Sequence, residues 1–132
     1  MTIERLNPKD VYQPNKGIYT QVIKSTRRTE VHLAGLVAWN TANETVGKDD
    51  MAAQVAQILD NVDKCLAAAG ATKADVVRIN TFTTDVGRYI AEGAPVLIKY
   101  FGDTKPVSTT VEVSKLVSPE WLVEIEVTAA ID

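Results

Sequence analysis

The sequence is poor in cysteine, with one thiol, Cys65, among 132 residues. A single cysteine excludes an intrachain disulfide and any zinc site built from several thiolates. Cys65 falls on the apolar stripe of a predicted helix, where a free thiol is usually a small buried residue. We therefore expect Cys65 to pack in the core and to take no part in chemistry.

The sequence also lacks long hydrophobic runs and an excess of positive charge. No apolar stretch approaches the roughly 18 residues that a membrane-spanning helix needs, and the first residues do not have the pattern of a secretory signal. The net charge is −3, and the one basic cluster is Lys24, Arg27 and Arg28. Such a chain attracts neither phosphate backbones nor anionic lipids, so we expect a cytoplasmic protein that binds neither nucleic acid nor membrane.

Repeats, low-complexity tracts and linkers are absent as well, so residues 1–132 are predicted to form one domain. Residues 1–16 contain Pro8 and Pro14 and are predicted to be irregular. β-branched and aromatic residues dominate residues 19–24 and 30–39, which predicts two paired strands joined by a polar turn.

Two helical segments are predicted further along the chain. The first follows Asp49 and Asp50, which are suitable N-cap residues, and continues with apolar side chains at helical spacing until Gly70. The second covers residues 86–101 and is expected to break or restart where Gly93 and Pro95 interrupt it. Three more strands are predicted over residues 75–82, 107–113 and 122–131.

The resulting order β-β-α-β-α-β-β implies an α+β sandwich with helices on one face of a mixed sheet. The opposite face of that sheet is expected to carry apolar side chains, namely Val31, Leu33, Val111, Val113, Ile125 and Val127. Because an uncovered apolar face of this size is an association surface, the pattern predicts an oligomer.

Short motifs along nearly the whole chain resemble those of the Rid family, also called YjgF or YER057c and formerly endoribonuclease L-PSP. The matching segments, in the family's order, are residues 17–21, 34–36, 66–70, 75–77, 82–85, 106, 110–113, 116 and 123–126. The resemblance implies a chorismate-mutase-like fold of the bacillary type. It also implies a homotrimer that binds small molecules in clefts between neighbouring subunits, and we expect no cofactor and no metal.

Family members that hydrolyse imines and enamines such as 2-aminoacrylate hold the substrate carboxylate with an arginine, through two parallel hydrogen bonds. A glutamate moves protons while water adds to the C=N bond and ammonia leaves. The resemblance places Tyr19 and Gly35 at two ligand-contacting positions of this site. Thr110 stands at a cysteine position, and Glu124 stands at the glutamate position if the loop before Trp121 contains one extra residue.

The arginine position is occupied by Ser108, and Ala34 and Leu36 replace a hydroxyl and an amide side chain in the same cleft. Serine offers no cation, and losing a buried carboxylate contact of this kind costs about 2–5 kcal/mol. We therefore predict poor hydrolysis of 2-aminoacrylate. The predicted catalytic residue is Glu124, and the predicted ligand-binding residues are Tyr19, Ala34, Gly35, Ser108 and Thr110.

Three functions agree with this sequence. The first is a divergent imine or enamine hydrolase with an altered substrate, and the second is a non-catalytic homologue that binds a small ligand. The third, ribonuclease activity or translation inhibition, is disfavoured because the chain is acidic and has no basic patch. Fold alone does not decide between them, and we rank the hydrolase first.

Other polar residues have plainer interpretations. His32 has no companions at metal-ligand spacing, so we predict a structural or exposed histidine. Arg78 and Asn80 share one strand face, which is more often solvated than a displaced anion site. If Glu112 shares the cleft with Glu124, repulsion between the two carboxylates raises the pKa of one of them.

Overall fold

The computed structural model describes residues 2–132, and Met1, the first residue of the predicted irregular segment, lies outside them. The strands, in chain order, are β1 (Ile3–Leu6), β2 (Val22–Ser25), β3 (Thr29–His32), β4 (Val76–Thr83), β5 (Val107–Glu112) and β6 (Val123–Ile131). The α-helices are α1 (Met51–Ala68), α2 (Val86–Arg88) and α3 (Ala94–Phe101), with a π-helical turn, Tyr89–Gly93, between α2 and α3.

Four strands form the main sheet in the order β3-β6-β4-β5. β6 is antiparallel to both of its neighbours, whereas β5 runs parallel to β4, so the sheet is mixed as predicted. α1 and α3 pack together over one face of this sheet, and the buried core lies between the helices and the strands. The predicted α+β arrangement, with helices on one face of a mixed sheet, is confirmed.

The predicted pairing of the first two strands is wrong. β2 pairs with β1 in a separate two-stranded sheet, and β3 pairs instead with the last strand, β6. β3 also ends at His32, well before the predicted residue 39. The sequence did not reveal β1, because four mostly exposed residues gain their order from hydrogen bonds to β2 rather than from an apolar pattern. Local sequence patterns predict where strands lie but not which strands pair with each other.

The prediction of an apolar uncovered face is also wrong for most of its residues. Val31 and Leu33 pack against the core, and Ile125 and Val127 lie within it. Of that set, Val111 lies on the uncovered side and is 41% exposed. The side chains that face away from the helices are largely polar and include Arg78, Asn80, Glu124, Glu126 and Thr128. Because strand side chains alternate, the helices cover the more apolar set of each strand and leave the polar set outside.

The helical predictions hold with two corrections. The Asp50 carboxylate caps α1 by accepting a hydrogen bond from Ala53 N at 3.0 Å, as predicted. The second segment restarts with Pro95 in the first turn of α3, one of the two predicted outcomes, and the correction is the π-helical turn that precedes the restart. Cys65 is exposed, not buried, because it lies beside the stripe of α1 rather than on it.

Gln54 joins α1 to the segment that leads into β6. Its side chain is fully buried, although it lies on the otherwise apolar face of the helix. The amide donates to Gly47 O at 3.1 Å and to Glu120 O at 2.9 Å, and it accepts from Leu122 N at 2.9 Å. These bonds fix the backbone two residues before Glu124.

Replacing Gln54 with leucine should therefore destabilise the fold more than its position on a helix suggests. Gln54→Leu leaves buried backbone groups without partners, and we expect a loss of about 2–4 kcal/mol in the free energy of unfolding, measured by urea denaturation. The matched control is Gln57→Leu, because the half-buried Gln57 bonds only to Asn61. Equal losses for the two variants would contradict this account of Gln54.

Candidate functional site

Three of the predicted ligand-binding residues meet in one depression at the edge of the main sheet. Tyr19, Ser108 and Thr110 line a cavity of about 220 Å³, which we call the Tyr19 cavity. The rest of its lining is Asn15, Ile18, Tyr89, Ile90, Ala94, Leu97 and Ile98. The structure therefore brings together predicted site residues that are about 90 positions apart in the chain.

Strand register explains why Ser108 and Thr110 face this cavity. β5 is an edge strand, and its residues Ser108 and Thr110 lie opposite Ile79 and Thr81 of β4, which are buried on the helix side. Tyr19 comes from the segment that passes beside this edge. That segment is fixed by its neighbour Thr20, whose hydroxyl donates to Lys105 O at 2.5 Å.

A second cluster contains Gly35 and Glu124. Backbone hydrogen bonds between Leu36 and Ile125, at 2.8 and 3.0 Å, hold the Ala34–Gly35 segment against β6. The Glu124 side chain lies directly on Gly35, since a Cβ added at Gly35 would fall 2.9 Å from Glu124 Cδ and 3.1 Å from its Cγ. Glycine is needed here for close approach, because any side chain would displace the carboxylate. Ala34 is exposed beside it.

The carboxyl group of Glu124 is partly desolvated. Burial raises the pKa of Glu124 above its ordinary value, and the nearby Glu126 carboxylate raises it further. Glu126 itself accepts a hydrogen bond from Asn80 Nδ2 at 2.7 Å. A partly desolvated carboxyl with a raised pKa stays protonated to higher pH than an exposed glutamate, which suits general acid–base chemistry.

Within one chain, Glu112 does not lie beside Glu124. Glu112 lies opposite Thr83 on the helix side, where its carboxylate accepts from Val86 N at 3.0 Å. Its neighbours alternate faces, so Glu112 cannot reach the uncovered side on which Glu124 lies. The carboxylate that shifts the pKa of Glu124 is Glu126, two residues along the same strand.

The two clusters lie on opposite faces of the sheet. Thr110 is opposite Thr81, whereas Glu124 is opposite Phe82, and consecutive residues of β4 point to opposite sides. Glu124 is accordingly not part of the lining of the Tyr19 cavity. Within one chain, the structure brings the predicted site residues together as two halves and does not join them.

Sequence reasoning missed the helical wall of the cavity. Tyr89, Ile90, Leu97 and Ile98 come from the π-helical turn and α3 and had been assigned only to a helix packed on the core. The available signal was the spacing of Ile90 and Ile98, which lie off the face that buries Leu97 and Phe101.

Polar residues elsewhere form local contacts. The exposed His32 meets Glu30 at 2.9 Å and Thr128 at 3.2 Å through its two ring nitrogens. Arg78 and Asn80 line a depression of about 350 Å³ on the uncovered face, next to His32 and Glu126. Among residues 2–132 no three or more His, Cys, Asp or Glu side chains are grouped to hold a metal ion. Over the same residues no helix combines the length and apolarity that crossing a bilayer requires.

Comparison with known proteins agrees with the motifs. The family model described as Endoribonuclease L-PSP matches residues 12–131. A RutC family protein of Pyrococcus horikoshii is 33% identical over 113 residues, which are 86% of each chain. The protein DfrA of Myxococcus xanthus is 31% identical over 100 residues, 76% of each chain.

Solved structures show the same likeness. The Rid-family protein YyfB of Yersinia pestis, described as a protein of unknown function, superposes with a TM-score of 0.87 at 34% identity and covers 99% of this chain and 100% of its own. A YjgF/YER057c/UK114 family member from Mycobacterium tuberculosis gives 0.68 at 35% identity over 86% of each chain. The fold is therefore chorismate-mutase-like. The chain belongs to the Rid (YjgF) family.

The raised pKa of Glu124 predicts how its removal affects stability. In the unfolded chain the Glu124 carboxyl group ionises near its ordinary pKa of 4.5, whereas in the folded chain it ionises only at higher pH. The wild type therefore loses stability as the pH rises from the unfolded-state pKa to the folded-state pKa. Glu124→Gln removes the loss. We subtract the melting temperature of the wild type from that of Glu124→Gln at each pH. We expect this difference to be more positive at roughly pH 8 than at roughly pH 4.

Differential scanning calorimetry at the two pH values measures this difference. Glu44→Gln is the control, because Glu44 is an exposed turn residue. A Glu124→Gln difference that stays constant with pH, or that falls as pH rises, would show that Glu124 has no raised pKa.

Proposed function

We propose that this protein is a homotrimer that hydrolyses imines or enamines in clefts between its subunits. The observation that carries the proposal is the division of the site into two halves on opposite sheet faces. A cyclic assembly can set the Tyr19 cavity of one copy against the Gly35–Glu124 cluster of the next, which gives three equivalent clefts. The family resemblance, which implies such a trimer, supports this arrangement.

The chemistry requires a group that both donates and accepts protons. In the proposed reaction, protonated Glu124 donates its proton to the imine nitrogen, and the resulting carboxylate removes a proton from the attacking water. The C–O bond forms and gives a carbinolamine. Glu124, which is protonated again, then protonates the amino group; the C–N bond breaks, the hydroxyl proton returns to Glu124, and the products are a carbonyl compound and ammonia. A raised pKa supports both roles of Glu124, and no cofactor takes part.

The hydroxyls of Ser108 and Thr110 would position the substrate across the cleft from Glu124. Backbone groups next to Gly35 would contact it from the glutamate side. Because Ser108 stands where the resemblance places an arginine, a substrate carboxylate would lack its strongest partner. We therefore propose a substrate other than 2-aminoacrylate.

A second candidate is a non-catalytic protein that binds a small ligand. It is favoured by the lining of the Tyr19 cavity, which contains hydroxyl and apolar groups but no acid, histidine, lysine or arginine. Binding of small molecules needs only shape and a few polar contacts, whereas hydrolysis also needs Glu124 in the assembled cleft.

Imino acids generated in place by an amino-acid oxidase provide the direct assay for hydrolysis. We expect weak activity of the wild type on such acids and a gain for Ser108→Arg, because arginine restores a bidentate carboxylate contact. Adding Glu124→Gln to Ser108→Arg should lower the rate by roughly 10²- to 10⁴-fold, the usual contribution of a general acid or base.

Ser108→Arg combined with Glu44→Gln is the matched control, since Glu44 is an exposed turn residue and is not one of the predicted site residues. Full activity in the variant that lacks Glu124 would refute the catalytic role. If the wild type and Ser108→Arg are both inert while a small ligand still binds, the non-catalytic candidate is the better account.

A further inference from the structure

The Tyr19 cavity has a wall of aliphatic side chains that nothing in the proposed reaction uses. Ile18, Ile90, Leu97 and Ile98 line it together with Ala94, and Ser108 and Thr110 of β5 contribute hydroxyls to the same lining. Apart from the tyrosines, no lining side chain is ionisable. The cavity therefore combines aliphatic side chains with neutral hydrogen-bonding groups.

The π-helical turn creates this wall. Gly93 permits it, because a Cβ at Gly93 would fall 2.8 Å from Tyr89 Cδ1 and 3.1 Å from Val55 Cγ2. The turn buries Tyr89 while leaving Ile90 at the cavity rim with 59% of its surface exposed. A π-helical turn distorts regular helix hydrogen bonding and is frequently found at functional sites.

We propose that the Tyr19 cavity binds the branched aliphatic part of an uncharged ligand, whose neutral carbonyl, imine or amide group meets Ser108 and Thr110. This inference rests on the proposed function and names its substrate class, neutral compounds with a short aliphatic chain. The cavity volume of 220 Å³ is room for roughly seven water-sized groups, enough for a five-carbon chain with its polar head.

A carboxylate fits this cavity poorly. Moving an ionised carboxylate from water to an apolar site is costly unless a cation or several donors replace the lost hydration. Hydroxyls also form hydrogen bonds with neutral carbonyl, imine and amide groups, and these groups lose far less hydration than a carboxylate does. The absence of a charged lining residue therefore favours ligands with a neutral head group, and the aliphatic side chains favour ligands with an aliphatic chain.

Three related probes separate these two selections. Isovaleramide carries both a neutral head and a branched chain, isovalerate carries the chain with a charge, and acetamide carries the head alone. We expect isovaleramide to bind at least about tenfold more tightly than acetamide, since each buried CH₂ changes affinity by a factor of roughly four. Isovaleramide should also bind at least about tenfold more tightly than isovalerate at neutral pH.

Methyl NMR of isoleucine- and leucine-labelled full-length protein measures the affinities and locates the site. Shifts should concentrate on Ile90, Leu97 and Ile98. Ala94→Leu fills the cavity and should weaken the binding of isovaleramide at least about tenfold, because the ligand then buries fewer CH₂ groups. Ala91→Leu is the control and should leave the binding unchanged, because Ala91 is exposed and lies outside the lining. Ser108→Arg should reverse the preference toward isovalerate, which tests the charge argument even if Ala94→Leu disturbs the fold.

Two results would overturn the inference. The first is isovalerate binding as tightly as isovaleramide to the wild type. The second is the absence of probe shifts at the cavity, with intermolecular contacts showing that a side chain of a second copy fills it. Neither result depends on catalysis, so a failure of Glu124 as the acid–base group leaves the binding result intact.

Discussion

The pairing of β4 with β5 on one side and β6 on the other determines which face of the sheet carries Ser108, Thr110 and Glu124. Thr81 faces the helices with Thr110, and the next residue, Phe82, faces away with Glu124. A shift of one residue in either register would exchange these faces. The division of the site into two halves is thus a consequence of backbone hydrogen bonding. Within one chain, the hydroxyls of Ser108 and Thr110 and the carboxyl group of Glu124 therefore lie on opposite faces of the sheet.

The two halves differ in their electrostatics. The Tyr19 cavity is neutral and largely aliphatic on one wall, so it can recognise shape and a polar head but cannot neutralise an anion. The glutamate half contains Glu124 and Glu126, whose mutual repulsion adds to burial in raising the pKa of Glu124. The proposed uncharged substrate with a C=N bond matches a neutral cavity on one side and a carboxyl group of raised pKa on the other. Ser108 is consistent with this division, since an arginine there would give the binding half a charge.

The sequence was sufficient for the fold class, for α1 with its cap at Asp50, and for the grouping of Tyr19 with Ser108 and Thr110. It was insufficient where the outcome depends on distant pairing. β3 joins β6 rather than β2, and that choice places Val31 in contact with the core. The sequence predicts the irregularity at Gly93 and Pro95 but not its π-helical geometry, because Gly and Pro mark an interruption without specifying the hydrogen bonding around it.

The central claim is that Gly35 and Glu124 of one subunit lie across a cleft from Thr110 of another. A nitroxide at Ala34→Cys, in a Cys65→Ser background that removes the exposed thiol, marks the glutamate half. These chains are mixed with unmodified chains that carry ¹³C-labelled threonine methyls and are allowed to exchange subunits, with the chemically reduced label as reference. The account predicts strong paramagnetic broadening of the Thr110 methyl signal. A Thr110 signal of unchanged intensity in the mixed oligomer would contradict it.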